Sequence, residues 1–113
     1  MTYKQGDIVL IPVPFTDLTS SKKRPVLILS DNRYNEITDD LIVAAITSNV
    51  DNKIYTVKIT AKNLTDGALL YDSCIRADKL YTLSQSIIIK KFGTVKYDVL
   101  KAVVEKLLNI FTL

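Results

Sequence analysis

The sequence predicts a mainly β domain, a small antiparallel sheet with a single helix at its C-terminal end. Short strand-forming runs, DIVLIPVP, PVLILS, LIVAAITS and IYTVKIT, recur between polar turns. The period then changes: Leu100, Val103, Val104, Leu107, Leu108 and Phe111 recur at three- and four-residue steps, which is one face of a helix. A chain of 113 residues has material for one core and little more, so residues 1–113 form a single domain.

Asp7 to Pro14 opens the sheet, and Pro12 and Pro14, which lack ladder donors, mark the end or edge of that strand. FTDLTSSKK has no apolar period and turns the chain, and PVLILS carries a second strand to Ser30, giving a long-looped hairpin. DNRYNEITDD is polar and turn-prone, with a spacing that admits a short helical turn. LIVAAITS suits a buried central strand that stops near Thr47 and Ser48. After the turn NVDNK, IYTVKIT alternates as a half-exposed strand does, and TAKNLTDG reads as a loop closed by Gly67. ALLYDSCIRADKLYTL offers one or two strands. In KKFGTV, Gly93 marks a turn, and Asp98 in the first turn of the helix suits the helix dipole.

Composition narrows the chemistry. The longest apolar run, LIVAAI at 41–46, is far below the roughly 18 residues of a membrane span, so no membrane association is expected. The N-terminus MTYKQGD lacks the apolar stretch of a secretory signal, which makes the cytoplasm the expected location. Cys74, the only cysteine, is read as core filling. With 15 Lys and Arg against 12 Asp and Glu, the formal charge is +3, a tilt towards an anionic partner. Lys22, Lys23 and Arg24 form one basic cluster, Lys90 and Lys91 another. There is no histidine, which excludes Ser-His and Cys-His nucleophile pairs and most transition-metal sites; no metal and no cofactor is expected.

Three elements invite a functional reading: Arg24 at the entrance to the second strand, Thr47-Ser48 at the exit of the buried strand, and Arg76-x-Asp78. Side chains two apart on a strand emerge from one face, so a guanidinium and a carboxylate would stand together. Singly, each has a plainer account as a hairpin charge, a strand cap or a surface ion pair.

In order along the chain, these elements resemble the MazF/PemK family of toxins from bacterial toxin–antitoxin pairs. GDIVLIPVPFTDLTSSKKRPVLILSD resembles the family's Gly-Asp-Ile/Val strand, Pro-Phe-Thr/Ser-Asp turn and (Lys/Arg)-Arg-Pro strand entry. ITSN at 46–49, SCIRADKLYTL and KKFGTV resemble its Thr-Ser strand end, its Ser-x-(Val/Ile)-Arg-x-Asp segment and its closing element. The resemblance implies a small SH3-like barrel with a C-terminal helix, a homodimer, and a sequence-specific endoribonuclease that cuts single-stranded RNA without metal. It also implies a cognate antitoxin, whose complex with the toxin binds DNA. Carried over by position, the catalytic set is Arg24, Thr47, Arg76 and Asp78, with Lys22, Lys23, Ser48, Ser73 and Lys79 as RNA contacts. Some members carry a histidine in the first hairpin loop; this chain resembles the branch that relies on arginine and threonine.

Metal-free RNA cleavage needs the neighbouring 2′-hydroxyl to attack phosphorus in line, leaving a 2′,3′-cyclic phosphate and a 5′-hydroxyl. A base must take the hydroxyl proton, and fixed donors must meet charge developing on the phosphoryl oxygens. Asp78 is the candidate base, although an ordinary carboxylate near ~3.9 is a weak one and an adjacent arginine weakens it further. Arg24 and Arg76 fit phosphate clamping, and Thr47 fits a hydroxyl donor. Two other readings fit the same sequence. A CcdB-like gyrase inhibitor would rest on a C-terminal Trp-Gly-Ile, whereas this chain ends NIFTL and has no tryptophan. A non-catalytic RNA-binding barrel would use Arg76 and Asp78 as a structural pair.

Overall fold

A computed structural model of the chain describes residues 3–12, 22–49 and 54–113. Along them run β1 (Asp7–Pro12), β2 (Lys23–Ile28), α1 (Asn32–Ile37), β3 (Asp40–Thr47), β4 (Thr56–Ile59), β5 (Leu64–Gly67), β6 (Ser73–Ser84), β7 (Lys90–Val95) and α2 (Tyr97–Ile110). The seven described strands form one sheet in the order β4-β6-β3-β2-β1-β7-β5, with every neighbouring pair antiparallel. The sheet curls into a half-barrel with one C-terminal helix, the architecture the sequence predicts.

Both faces of the central strands are apolar, which explains why their sequences read as continuous hydrophobic runs and not as clean alternation. Ile8, Leu27, Ala44, Ile46, Ile75 and Ala77 join Val99 and Val103 of α2 in one buried cluster. Val9, Ile11, Val26, Ile28, Leu41 and Val43, the alternate residues, form a second cluster covered by Tyr3, Tyr81, Leu83 and Ile88. Helix α2 packs against β4 and β6. Its apolar stripe is wider than the sheet it covers: Leu100 and Leu107 are half-buried, while Val104, Leu108 and Phe111 are exposed. Among the described residues, no helix is long and apolar enough to cross a membrane.

The sequence and the structure differ in places. The short helical turn that DNRYNEITDD admits is present as α1, where Asp31 Oδ1 accepts from the Tyr34 N–H and caps it. TAKNLTDG is not all loop: a 3₁₀ turn at Ala61–Asn63 leads into β5, which pairs with β7. The segment from Ser73 to Ser84 is one strand of 12 residues. Gly93 does not turn the chain. It lies inside β7, where β5 comes so close that a β-carbon on Gly93 would stand 2.4 Å from the Asp66 carbonyl oxygen. The first strand ends at Pro12, and Pro14, the hairpin turn at 15–21 and most of NVDNK lie outside the described residues.

Gly67, opposite Gly93, adopts φ +91°, and a β-carbon there would stand 2.1 Å from the Phe92 carbonyl oxygen. Gly67→Ala is therefore expected to lower folding stability by at least about 1–3 kcal/mol, read as a drop in the urea unfolding midpoint. An unchanged midpoint would mean that β5 and β7 do not approach this closely.

Candidate active site

Strand register assembles the site. Val26, Ala45 and Arg76 stand side by side across β2, β3 and β6. The pairing of β2 with β3 ends at Val26 and Ala45, so Arg24 and Thr47 lie beyond the last joined rung. Pro25 sits in this unzipped stretch, where β2 is laddered to β1 alone and its missing N–H costs no bond to β3. The opening becomes a cleft of about 260 Å³ whose walls include Arg24, Thr47, Arg76, Lys79 and Tyr81, over a floor of Ile11, Val26 and Ala45.

A break in register on β6 completes it. Ala44 pairs with Leu80 but the next residue, Ala45, pairs with Arg76, so Ala77, Asp78 and Lys79 bulge from the ladder. The Tyr55 carbonyl accepts the Ala77 N–H at 2.9 Å, and the Ala77 side chain is buried. With that anchor inward, Asp78 turns back on Arg76. Arg76 donates from Nε to Asp78 Oδ1 at 3.1 Å and from Nη2 to Oδ2 at 2.8 Å, a two-pronged ion pair. The side chains are 18% and 35% exposed, so the pair is open to solvent without floating in it.

Each partner holds the other ionised. The Arg76 guanidinium keeps the Asp78 carboxyl below its ordinary range, chiefly through the hydrogen bonds and against a desolvation effect of opposite sign. The Asp78 carboxylate raises the pKa of Arg76, with a smaller contribution from Tyr81. Two of the five N–H groups of a guanidinium are engaged by Asp78, and the rest can meet an anion in the cleft that Arg76 lines. Thr47 Oγ1 accepts from the Asn49 N–H at 3.1 Å; an oxygen fixed in this way still carries a proton to donate.

Of the residues expected from sequence, Arg24, Thr47, Arg76 and Lys79 line one cleft, and Asp78 joins it through Arg76 without lining it. Lys23, Ser48 and Ser73 line a second, adjoining pocket of about 240 Å³ that shares Arg24 and Ile46 with the first. Ser73 is buried, and its Oγ donates to the Tyr71 carbonyl at 2.9 Å. Lys22 is exposed and lines neither. Cys74 is a free, buried cysteine, as expected of core filling. Tyr55, Tyr71 and Tyr81 are the tyrosines whose places near strands offer stacking faces for RNA or, more plainly, half-buried packing; Tyr81 lines the cleft and Tyr71 the second pocket, whereas Leu69, Leu70 and Phe92 carry no such signal in the sequence. Tyr81 lies five positions from Arg76, and only the bulge brings the two to one face.

No curated protein sequence matches the chain. Among solved structures, the MazE-MazF crystal structure (Form-III) from Deinococcus radiodurans is similar at TM-score 0.80 and 23% identity, over 98% of this chain and 97% of that one. The Mycobacterium tuberculosis toxin MazF-mt6 is similar at TM-score 0.75 and 24% identity, over 93% and 95%. An endoribonuclease in complex with its cognate antitoxin, from Mycobacterial species, is similar at 0.78 and 18%, over 96% and 94%. At these identities the likeness is one of fold. The sequence itself matches, over residues 4–111, the family described as PemK-like, MazF-like toxin of type II toxin-antitoxin system, and the chain belongs to that family.

Proposed function

We propose that the chain is a sequence-specific endoribonuclease that cuts single-stranded RNA without metal, arresting translation and growth. In this reading it works as a homodimer in the cytoplasm and is neutralised by a cognate antitoxin. The observation that carries the proposal is the cleft in which Arg24, Thr47 and the Asp78-bound Arg76 meet. Two guanidiniums supply fixed positive charge where a phosphoryl group would gain negative charge, the role a metal ion plays elsewhere.

Phosphate entering the cleft engages Arg24 and the N–H groups of Arg76 that Asp78 leaves over. Its negative charge beside Asp78 raises the basicity that the arginine alone suppresses, so the base strengthens when substrate is bound. Asp78 then takes the 2′-hydroxyl proton, O2′ bonds to phosphorus, the bond from phosphorus to O5′ breaks, and water protonates the departing oxygen. Thr47 donates to a phosphoryl oxygen, and Lys22, Lys23, Ser48, Ser73 and Lys79 hold the flanking strand.

The deciding experiment incubates the purified chain with long single-stranded RNA in excess EDTA. Discrete fragments with 5′-hydroxyl ends are expected; RNA retained but uncut would leave a binding barrel in which Arg76 and Asp78 are structural. Arg76→Ala is expected to cost on the order of a hundred- to thousandfold in rate and Asp78→Ala as much or more, with circular dichroism unchanged. Wild-type rates in either folded variant would remove the assigned roles.

Because the Asp78 pKa is lowered in the folded chain, the carboxylate is ionised across the neutral range and protonates only below the usual ~3.9. The acidic limb of kcat/KM should therefore lie below ordinary carboxylate titration and move to higher pH in Arg76→Gln. The same sign governs folding: the stabilisation from this pair is full above the unfolded carboxyl pKa and is lost as pH falls through the folded value. A limb that stays in place in Arg76→Gln would assign the titration to another group.

A further inference from the structure

The second pocket is built differently from the cleft beside it. Leu69, Leu70, Tyr71 and Phe92 form its walls, so it is mainly apolar. Yet it opens onto Lys23 and Arg24, and Arg24 is common to both cavities. The Lys90 ammonium sits over the ring of Phe92, a wall residue, 5.1 Å from its centre, so a third cation stands close by. An apolar slot bordered by cations fits a ligand that is flat and apolar at one end and anionic at the other.

Its walls are fixed before any ligand arrives. The Ala68 N–H donates to the Phe92 carbonyl at 3.2 Å, directly after the Gly67 and Gly93 contact that locks β5 to β7. At the other end of this loop, Ser73 Oγ holds the Tyr71 carbonyl. Between these anchors, Leu70 is 87% and Tyr71 71% exposed. Two large side chains, one aliphatic and one aromatic, exposed side by side on this loop next to cations are the kind of surface that marks a binding site. Polar discrimination is available too: Ser48 and Ser73 line the pocket, and Ser73 Oγ, whose proton goes to the Tyr71 carbonyl, can still accept.

We propose that this pocket receives one nucleobase of the RNA strand, next to the phosphate held at Arg24, stacking it against Tyr71 and reading its edge through Ser48 and Ser73. The base preference of the enzyme at that position is thus set here and not in the cleft. The inference rests on the reading of the chain as one that acts on single-stranded RNA. Stacking tolerates any base, so most of the binding comes from the aromatic face, and the two hydroxyls select only while that face holds the base against them; losing Tyr71 therefore loses both.

The test uses the full chain, a randomised single-stranded RNA in EDTA with the ends sequenced, and binding of an uncleavable 2′-O-methyl oligonucleotide with and without one abasic position. Tyr71→Ala should flatten base preference at one position beside the cut and weaken binding, or raise KM, by roughly ten- to hundredfold. Fragments should still end in 5′-hydroxyls, Tyr71→Phe should behave as wild type, and Ser48→Ala should relax preference with a smaller loss of binding. An abasic site should cost wild type affinity and cost Tyr71→Ala nothing further. If Tyr71→Ala cuts with unchanged preference and binding, the pocket assignment is overturned and the nuclease stands. If wild type binds RNA in a Tyr71-dependent way but cuts nothing, the pocket stands and the nuclease does not. A chain that neither binds nor cuts overturns both.

Discussion

The two-pronged contact between Arg76 and Asp78 is the interaction on which the site depends, and it lies where β6 breaks register. On an unbroken strand, Asp78 would take its place in the ladder and project beside Arg76 at the strand repeat. Instead Ala77, Asp78 and Lys79 leave the ladder together, with Ala77 driven into the core and its N–H tied to Tyr55. A small apolar residue is thus buried between a guanidinium and a carboxylate that meet on the open side. Bulges commonly re-aim side chains in this way, and here the re-aiming carries charge.

The second constraint is the early parting of β2 and β3. Had their pairing run on past Val26 and Ala45, Arg24 and Thr47 would face each other across a closed ladder and no cavity would separate them. Pro25 makes the parting inexpensive, since a residue with no N–H loses nothing where it has no partner on that side. The result is one opening that serves both faces of the sheet: a charged cleft on one, an apolar pocket on the other, and Arg24 between them. A strand of nucleic acid needs both kinds of surface within one nucleotide of each other, because each nucleotide is an anion joined to a flat ring.

How much of this was legible in the sequence differs by level. The sheet was legible because its central strands are continuous apolar runs between polar turns, and the helix because its apolar residues recur at three- and four-residue steps; how much of that face the sheet covers was not, since Val104, Leu108 and Phe111 continue the period beyond it. Strand β5 was missed because LTDG carries no strand propensity and exists through its pairing with β7. Gly93 was misread as a turn for a related reason: what demands glycine there is the approach of another strand, which no local pattern encodes. The Arg76-x-Asp78 pair was legible from spacing alone. Tyr81 was not, because residues an odd number apart face opposite ways on a regular strand, and the bulge that reverses this leaves no local mark in IRADKLY. The pocket at Tyr71 lies hidden for the same reason as β5, its walls coming from segments joined only in the fold.

The absence of histidine now has a physical consequence. An enzyme whose acid and base include imidazole gains or loses activity near neutral pH as that ring titrates. Here the hydrogen-bonded arginine lowers the carboxyl pKa and the carboxylate raises that of the arginine, so the pair stays charged around neutral pH. Protonation then offers no means of switching such a site off. Nor does redox chemistry, with one buried cysteine in the chain. What remains is occupancy of the cleft: the charges that attract a phosphate attract equally any carboxylate-bearing partner that fits between Arg24 and Arg76. For a member of a toxin family, a cleft whose paired charges do not depend on a titrating histidine fits control by a bound protein.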